Sequence, residues 1–421
     1  MTDLMEKIVA LCKRRGFVYP GSEIYGGVAN TWDFGPLGLA LKENIKKLWW
    51  QEFVKKEENI FGLGGGIILS PRVWEASGHT ENFTDDLVEC KSCHKRFRTD
   101  QISDLKKCAE CGGDLTAPRK FNGMFQTQTG VYLRPETAQA IFINFKNIVD
   151  SMHPKLPFGI SQIGKAFRNE ITAGNFIFRD IEFEQMELEY FVAKQDWEKS
   201  FDHWLAKLHT WVKLLGLSGE KIHEREHEKN ERSHYSQKTV DIEFDFPFGK
   251  KELYGLAYRT DFDLRNHSEK SGLDLSYVDD AGNKFYPHVI EPSLGVERTM
   301  LAVLCNAYYE DEDRVVLKLP PKLAPIQIAV FPLSANKPDL VDKAHSIYSE
   351  LKTNNYEVAW DDRGNVGKRY YAQDEIGTPW CVTVDYQTLE DGTVTVRDRD
   401  TTLQERINID TLEQYFKDKL K

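Results

Sequence analysis

Residues 167–187 read FRNEITAGNFIFRDIEFEQME, and this stretch is the most informative part of the chain. Ala173-Gly174-Asn175 is a turn-prone cluster, so we predict two β-strands joined by a loop. Side chains along a strand alternate between its two faces. The alternation places a group of arginine, carboxylate, amide and aromatic side chains on one patch of sheet, namely Arg168 and Glu170 before the loop and Arg179, Phe183, Gln185 and Glu187 after it.

This patch does not suit a hydrophobic core, because unpaired charges are costly to bury. An aromatic ring beside arginines suits a purine base that carries a phosphate group. An ordinary antiparallel hairpin with a charged solvent face gives the same pattern. The interpretation therefore needs support from elsewhere in the chain.

The pattern F-R-x-E, a loop and R-x-x-x-F-x-x-x-E resembles motif 2 of the class II aminoacyl-tRNA synthetases. Phe167, Arg168 and Glu170 match it before the loop, and three residues match it after the loop: Arg179, Phe183 and Glu187. The sequences FRNEIT and EFEQME resemble those of the glycyl-tRNA synthetase branch in particular.

The chain has 421 residues, a net charge of −11 and 29% charged residues, as in globular proteins of two or three domains. The acidic balance argues against non-specific binding along a nucleic acid, although a specific RNA can use local positive grooves and shape. No apolar run approaches the roughly 20 residues of a membrane span, and the N-terminus lacks a basic start followed by an apolar block. We therefore expect a cytoplasmic protein without membrane segments.

Four of the seven cysteines form two C-x-x-C pairs, Cys90 with Cys93 and Cys108 with Cys111. In a cytosolic chain this spacing predicts a structural zinc site, and redox cysteines or disulfides are the alternative. A site with four cysteine ligands has no open position, so we expect the metal to fold the insert and not to perform chemistry.

A strongly helical segment follows Asp33-Phe34-Gly35-Pro36, with proline in the first turn. Its apolar residues recur on one face: Leu41, Ile45, Leu48, Trp49 and Phe53. A predicted strand at Ile67-Ile68-Leu69 precedes Ser70-Pro71. This arrangement resembles motif 1 of class II synthetases, which forms the dimer interface in that family. A plain core helix is the alternative.

The segment VIEPSLGVER at residues 289–298 predicts a strand, a turn and a helix start, and it resembles motif 3. Gly295 permits close backbone approach, and Arg298 in the first turns of the helix can reach the far phosphates of ATP, helped by the positive helix end. An arginine paired with a surface carboxylate is the alternative. The segment ELYGLAYRTD at residues 252–261 resembles another glycyl-branch segment, with Glu252 in a position near ATP.

Residues 223–227, HEREH, match the H-E-x-x-H signature of zinc proteases. That signature needs a helix with apolar flanks, whereas the flanks here are charged: Glu220, Lys221, Glu228 and Lys229. We interpret residues 218–238 as a charged surface segment.

Alternating strands and helices beyond Pro320-Pro321 predict a small α/β domain. The predicted strands are Ile326–Phe331, Glu357–Trp360, Trp380–Asp385 and Thr393–Arg397, and the predicted helices are Pro338–Asn354, Val366–Glu375 and a final helix. Residues 361–370, DDRGNVGKRY, resemble the anticodon-binding domain of class IIa synthetases. Positive charge for RNA would come from Arg363, Lys368 and Arg369, with Tyr370 as a stacking surface. A charged surface loop and helix is the alternative.

The resemblance covers nearly the whole chain and implies an α+β fold. Residues 1–320 would form the class II catalytic domain, an antiparallel sheet flanked by helices, with a zinc-ribbon-like insert at 88–116. Residues 325–421 would form the C-terminal α/β anticodon-binding domain. The implied protein is a homodimer that binds ATP with Mg²⁺, glycine and tRNA(Gly).

The implied reaction has two steps: glycine attacks the α-phosphate of ATP, and the glycyl group then passes to the 3′ end of the tRNA. The catalytic residues implied are Arg168, Glu170, Arg179 and Arg298. The resemblance assigns ATP binding to Arg168, Asn169, Glu170, Phe178, Arg179, Phe183, Glu252, Leu253, Gly295 and Arg298. It assigns glycine binding to Arg98, Glu136, Phe183, Gln185, Glu187, Glu291, Ser293 and Gly295.

Two alternatives remain open on the sequence. A non-catalytic relative could keep the fold as a binding subunit, but such a protein would be expected to lose the ATP arginines, which are present here. The second alternative is a class IIa synthetase for another amino acid. Glycine is favoured over it by two segments, Glu-Pro-Ser-x-Gly at 291–295 and Arg-Pro-Glu-Thr-Ala-Gln at 134–139.

Overall fold

The computed structural model describes residues 3–99, 102–171, 174–311 and 314–420. Within these ranges the α-helices are α1 Asp3–Arg15, α2 Pro36–Trp50, α3 Pro71–Ala76, α4 His79–Asn82, α5 Ala138–Met152, α6 Trp197–Leu214, α7 Phe262–Ser271, α8 Val296–Ala307, α9 Pro338–Thr353, α10 Val366–Ile376, α11 Tyr386–Asp391 and α12 Leu412–Lys419. None of these helices combines the length and apolar character that a membrane crossing requires.

The strands of the same ranges are β1 Val18–Pro20, β2 Trp32–Phe34, β3 Ile60–Gly62, β4 Ile68–Leu69, β5 Thr84–Glu89, β6 Arg96–Arg98, β7 Arg119–Asn122, β8 Tyr132–Leu133, β9 Phe158–Phe167, β10 Glu182–Val192, β11 Ile222–Glu226, β12 Lys238–Phe246, β13 Gly249–Thr260, β14 Tyr277–Val278, β15 Lys284–Phe285, β16 His288–Gly295, β17 Tyr308–Glu310, β18 Val315–Leu317, β19 Ile328–Pro332, β20 Val358–Trp360, β21 Trp380–Val384, β22 Thr393–Asp398 and β23 Gln404–Asn408.

The largest sheet that the described residues form has seven strands in the order β11-β12-β13-β16-β10-β9-β3. Its neighbours pair antiparallel, except that β3 runs parallel to β9. Helices α2, α6 and α8 cover one face and bury a continuous apolar cluster against it. This architecture confirms the predicted α+β class with an antiparallel sheet flanked by helices.

The predicted hairpin is present as β9 and β10, with Phe183 opposite Ala166. The strands are shorter than predicted, because β9 ends at Phe167 and β10 begins at Glu182. Strand alternation was therefore the wrong reason for placing three of the side chains together: Arg168, Glu170 and Arg179 lie in the connection. Ala173 of the predicted loop lies outside the described residues.

The connection between β9 and β10 has its own fixed structure near Arg179. A 3₁₀ turn covers Phe176–Phe178, whose side chains are buried in the main core. Asn175 and Phe176 have φ of +61° and +58°. Positive φ is unusual for a phenylalanine, and burial of the ring is what stabilises it. Arg179 is thereby held at the edge of the sheet.

The predicted amphipathic helix is α2, and its apolar face is buried as expected. It continues as a π-helical turn over Gln51–Lys55, so Phe53 packs 5.1 Å from Trp49 and 5.9 Å from Trp204, ring centre to ring centre. Stacked aromatic rings of this kind contribute beyond their buried area.

Lys42 of α2 is a buried charge within this apolar face. Its ammonium lies 2.5 Å from Glu297 at the start of α8 and 2.8 Å from Glu184 on β10. Glu297 also accepts the backbone N–H of Glu184 at 2.9 Å. One lysine therefore joins the three segments that resemble motifs 1, 2 and 3.

The cysteine-bearing insert is built on a three-stranded sheet in the order β6-β5-β7. This sheet begins at Thr84 and ends at Asn122, so it extends beyond the predicted bounds 88–116 on both sides.

The segment that contains the protease-like signature forms the edge strand β11 and not a helix. Its two histidines pair with carboxylates of β12, His223 with Asp245 at 2.8 Å and His227 with Asp241 at 2.6 Å. The two histidines do not share a helix face, which the zinc-protease geometry requires.

The C-terminal residues form a second sheet in the order β20-β19-β21-β22-β23, packed on α9 and α12. The sequence predicted its strands and long helices but missed α11 and β23. Helix α10 contacts two segments that precede this sheet in the chain: Asp374 lies 2.9 Å from Arg314, just before β18, and Glu375 lies 3.0 Å from Arg14 of α1.

Replacement of Lys42 by methionine is expected to destabilise the fold by about 3–5 kcal/mol, because two carboxylates lose their buried cation. Chemical denaturation followed by tryptophan fluorescence measures the change. Lys146→Met is the matched control, since Lys146 pairs with Asp150 at the surface and such pairs contribute about 0–1 kcal/mol. Equal denaturation midpoints for the two variants would contradict the role of Lys42.

Candidate functional site

A cavity opens at the end of the β9–β10 hairpin, beside the start of α8. It is lined by Arg168, Glu170, Ile177, Phe178, Arg179, Asp180, Phe183, Gln185, Glu252, Leu253, Ser293, Gly295, Glu297 and Arg298. Nine of the ten residues assigned to ATP by resemblance are in this lining, so the structure brings them together. The exception is Asn169, whose backbone N–H donates to the carbonyl of Gly123 at 2.7 Å.

Arg168 lies between two aromatic rings. Its guanidinium is 5.3 Å from the centre of the Phe183 ring and 5.5 Å from that of Phe83. Its Nε donates to the carbonyl of Pro135 at 3.0 Å. Two cation–π contacts and one hydrogen bond to a backbone carbonyl thus position the arginine. The other N–H groups of its guanidinium remain available to a ligand.

The other two arginines of the cavity each face one carboxylate. Arg179 lies 3.9 Å from Glu170, a distance at the limit of an ion pair. Arg298 lies 3.3 Å from the carboxylate of Glu252 and 4.7 Å from the centre of the Phe178 ring. Arg298 holds the pKa of Glu252 below its ordinary value. Three guanidinium groups therefore line one opening together with four carboxylates, those of Glu170, Asp180, Glu252 and Glu297.

Gly295 precedes α8 in an extended conformation with φ of −89°. A Cβ atom at this position would meet the Arg298 side chain at 3.7 Å, an ordinary van der Waals distance. The backbone conformation therefore does not require glycine here, and the open space it leaves belongs to the cavity.

Asp180 is a cavity residue that the sequence reasoning missed. It is buried, and one carboxylate oxygen has no hydrogen-bond partner among the described residues. Burial raises its pKa to about 9. The only sequence signal is an acidic residue beside Arg179, which an exposed loop would also show.

A buried set of polar side chains lies beneath the cavity, centred on Glu187. The carboxylate of Glu187 accepts bonds from Ser293 at 2.7 Å, from Gln185 at 2.8 Å and from the backbone N–H of Thr137 at 2.9 Å. The Thr137 hydroxyl also donates to it. Burial raises the pKa of Glu187, and the negative charge of Glu136 raises it further.

Arg259 anchors a second part of this set, and sequence reasoning did not find it. Its guanidinium is fully buried and binds Asp263 through two bonds of 2.9 Å and Glu291 through one of 2.8 Å. Tyr235 covers it, with 3.8 Å between the guanidinium carbon and the ring centre. Burial nevertheless raises the pKa of Glu291 to about 8.

Glu136 completes the buried set from the segment before α5. His79 lies 3.2 Å from its carboxylate, and Gln139 donates to it at 3.1 Å. Burial opposes ionisation of Glu136, but the charges of His79 and Arg259 lower its pKa below the ordinary value.

Arg134 fixes the segment that carries Glu136. It donates to the carbonyls of Lys165 at 2.6 Å and Gly65 at 3.0 Å. A Cβ atom at Gly164 would lie 2.1 Å from Arg134, so glycine is required there for this close approach.

The arrangement separates two charge environments that share Gln185 and Ser293. Guanidinium groups face the cavity, where they can bind phosphate oxygens, and carboxylates concentrate beneath it, where they can bind an ammonium group. A ligand that carries both an ammonium group and a phosphate-linked group is complementary to this pair of environments.

Arg98 is not brought to the cavity. It lies on β6 of the insert, 3.1 Å from the carboxylate of Asp85, and it does not line the opening.

The four paired cysteines of the insert converge. Their sulfur atoms all lie within 4.8 Å of one another, with 3.5 Å between Cys90 and Cys111 and 3.7 Å between Cys93 and Cys108. A zinc ion bonded to four sulfurs at about 2.3 Å holds them about 3.8 Å apart, which these distances fit. The backbone N–H of Cys93, aided by that of Ser92, lowers the pKa of Cys90 to about 6, which favours the thiolate that binds zinc.

The three basic residues singled out in the C-terminal domain differ in their surroundings. Arg363 and Lys368 are exposed, and Arg363 pairs with Asp361 at 3.1 Å. Arg369 is buried and donates to four backbone carbonyls, those of Pro332, Asp362, Arg363 and Gly364. Arg369 therefore holds the loop that carries Arg363. The N–H groups of its guanidinium are already bonded to these carbonyls.

Two protein families match the chain. The family described as tRNA synthetase class II core domain (G, H, P, S and T) matches residues 123–307. The family described as anticodon binding domain matches residues 327–419.

Similar proteins extend over the full length of the chain. Glycine–tRNA ligase of Thermobifida fusca is 49% identical over 100% of this chain and 98% of its own length. The proteins of the same name from Acetivibrio thermocellus and Mesoplasma florum are each 50% identical over 99% of this chain, and over 98% and 100% of their own lengths.

Purified protein is expected to contain one zinc ion per chain, as measured by elemental analysis. Replacement of Cys93, an exposed ligand, by alanine is expected to abolish stoichiometric zinc and to destabilise the insert, because three ligands bind far more weakly than four. Cys305→Ala, in the hydrophobic core, is the control and should keep its zinc. Equal zinc content in both variants would contradict a four-cysteine site.

Proposed function

The chain belongs to the glycine–tRNA ligase family of class II aminoacyl-tRNA synthetases, and we propose that it activates glycine with ATP and transfers the glycyl group to the 3′ end of tRNA(Gly), releasing AMP and pyrophosphate. The observation that carries the proposal is the adjacency of an arginine-lined cavity and a buried set of carboxylates. Charges of both signs are what a glycyl-adenylate presents.

The first step needs no general base, because the attacking group is a carboxylate that is ionised at pH 7. Its oxygen forms a bond to the α-phosphorus, and the bond from phosphorus to pyrophosphate breaks. Catalysis then consists of positioning and of neutralising the charge that develops on the phosphate. The cavity supplies both through Arg168, Arg179 and Arg298.

We assign Arg168 to the α-phosphate, since its fork retains donors and two rings hold it in place. Phe183 would stack on adenine, and Glu170 would accept a bond from the adenine amino group. Arg179 and Arg298 would bind the γ-phosphate side. Phe178, Leu253 and Gly295 shape the walls, and Asn169 supports the loop through its backbone.

Magnesium fits this site through Glu252, an oxygen ligand on the rim that Arg298 keeps ionised. When bound with ATP, Mg²⁺ neutralises phosphate charge as a Lewis acid.

Glycine has no side chain to recognise, so selection must come from its ammonium group and from the exclusion of larger amino acids. We assign the ammonium to Glu136, Glu187 and Glu291, with Ser293 and Gln185 orienting Glu187. Four residues of the cavity lining would border the bound amino acid: Phe183, Gln185, Ser293 and Gly295. Overpacking against the methyl group of alanine costs about 1–3 kcal/mol.

The resemblance assigns Arg98 to glycine binding, in a family position near the substrate carboxylate. In this structure it is held by Asp85 in the insert, so that role would require the insert to approach the cavity.

Residues 1–320, with the insert at 88–116, would carry the chemistry, and residues 325–421 would bind the tRNA anticodon in the cytoplasm. Of the three basic residues assigned to RNA in the second unit, Arg363 and Lys368 are exposed and would reach RNA phosphates. Arg369 would contribute by holding their loop.

A homodimer is the expected assembly. Residues 19–39, which run into the first turns of α2, expose several apolar side chains: Tyr19, Ile24, Tyr25, Val28 and Leu39. Ile24 is 88% exposed and Tyr25 is 87% exposed. Exposed apolar residues grouped on a surface indicate an interface, and this segment adjoins the motif that forms the dimer contact in the family.

ATP–pyrophosphate exchange with each of the twenty amino acids tests the function. We expect exchange with glycine alone, and a loss of about 10²–10³-fold in kcat for Arg168→Ala, because one preorganised donor to the developing charge is removed. Arg265→Ala, which changes an exposed side chain of α7 paired with Asp261, is the control and should keep full activity.

Three outcomes of this assay are distinct. Exchange with a different amino acid would preserve the class II reaction and overturn the glycine pocket. An absence of exchange with any amino acid, from folded protein, would favour the non-catalytic binding subunit. Unchanged exchange in Arg168→Ala would overturn the role of that arginine.

Light scattering tests the assembly. At micromolar concentration we expect about twice the chain mass of 48.6 kDa. Ile24→Glu should shift the mass towards the monomer, because a charge would be buried at the interface. Leu403→Glu is the matched control, as an exposed apolar residue of the C-terminal domain. A monomeric mass for the unmodified protein would overturn the dimer.

A further inference from the structure

Glu189 is a buried charge that the assigned roles do not use. It is 0% exposed on β10, and neither of its carboxylate oxygens has a hydrogen-bond partner among the described residues. It lies two positions after Glu187 on the same strand, so both side chains lie on the same face of the sheet. A buried carboxylate without a partner is costly when ionised.

The strand register places Glu189 beside a second acid. On β10 and β16, Glu187 is opposite Ser293 and Tyr190 is opposite Ile290. Continuation of this register puts Glu189 opposite Glu291. Like charges directly opposite each other on neighbouring strands repel, and two carboxylates in one buried site favour retention of a proton.

The surrounding elements supply few compensating charges. The groups that face this region are Glu187 on β10, Arg259 on β13, Asp263 and His267 on α7, Glu136 before α5, His79 on α4 and Tyr235, with Arg134 and Arg168 at its border. Arg259 is engaged by Asp263 and Glu291, and His79 by Glu136. Arg134 donates to backbone carbonyls.

The balance of these charges is negative. Glu136, Glu187, Glu189, Glu291 and Asp263 are five buried carboxylates. Arg259 is the fully buried guanidinium among them. Neutral hydrogen-bond donors stabilise the carboxylate of Glu187. An additional positive charge is therefore needed mainly beside the carboxylates of Glu189 and Glu291.

We propose that Glu189 and Glu291 hold one proton between them while the amino-acid pocket is empty, and that the ammonium group of glycine displaces this proton. The proposal rests on the proposed function and adds a proton-linked binding step to it. The O–H bond of the carboxylic acid breaks, the proton passes to solvent, and the ammonium group replaces it as the compensating charge. No electron transfer or further reactant is involved.

The pKa directions agree with this geometry. Burial raises the pKa of Glu291 to about 8, and burial together with the charge of Glu291 raises the pKa of Glu189. As long as the pair keeps its proton, glycine must expel it on binding. Glycine affinity therefore increases with pH by about tenfold per unit while the pair is protonated and levels off once the proton is lost.

Two measurements on the unmodified protein test the proposal. Glycine titrated into the protein at pH 7 in Tris and in phosphate should give heats that differ by the release of about one proton. The glycine KM of the exchange reaction should fall by about tenfold per unit between pH 6 and 8, while the ATP KM changes little. Equal heats in both buffers would overturn the proposal.

The Glu189→Gln variant distinguishes the effect of the Glu189/Glu291 pair on glycine binding from the effect of the other ionisable groups in the pocket. The amide is uncharged and holds no displaceable proton, so the glycine KM should change by less than about twofold per pH unit. The glycine KM of the variant should be lower than that of the unmodified protein at pH 6 and higher than it at pH 8. Glu182→Gln makes the same change on β10 at an exposed position, paired with Lys165, and should keep the steep dependence.

A steep dependence that persists in Glu189→Gln would overturn the proposal. If that variant does not fold, the buffer comparison on the unmodified protein decides alone. An absence of glycine-dependent exchange at every pH would overturn the proposed function instead. Glycine-dependent exchange with a flat pH profile would overturn only the shared proton.

Discussion

The ammonium group of Lys42 is the constraint on which the site depends. It is buried between Glu184 of β10 and Glu297 of α8. Charges buried at this depth tolerate little displacement, because a lost contact leaves an uncompensated ion in an apolar environment. The long helix, the hairpin and the helix that carries Arg298 are therefore fixed relative to one another, and the cavity lies where they meet.

The sequence predicted the features that depend on local periodicity or on spacing. The apolar face of α2, the two C-x-x-C pairs and the β9–β10 hairpin are of this kind. It did not predict Arg259, Asp263 or Glu189, because burial of a charged residue is decided by partners far away in the chain. Arg259, for example, binds Glu291, which is 32 positions away.

The convergence of Arg168, Glu170 and Arg179 was predicted for a reason that the structure corrects. Alternation along strands does not reach these positions, since both strands end before them. The arginines are held instead by the Pro135 carbonyl, by aromatic rings and by the buried turn at Phe176–Phe178. The sequence therefore indicated the members of the site, whereas tertiary contacts determine how each is held.

The two parts of the site lack different partners in the empty protein. The cavity arginines share their opening with carboxylates but keep donors free for phosphate oxygens, whereas the buried carboxylates beneath carry more negative charge than Arg259 compensates. A substrate with phosphate at one end and ammonium at the other neutralises both, so part of the binding free energy comes from relieving repulsion that the fold maintains in its absence. The core that surrounds Lys42, in which Trp49 and Trp204 stack on Phe53, is what stabilises the fold against that repulsion.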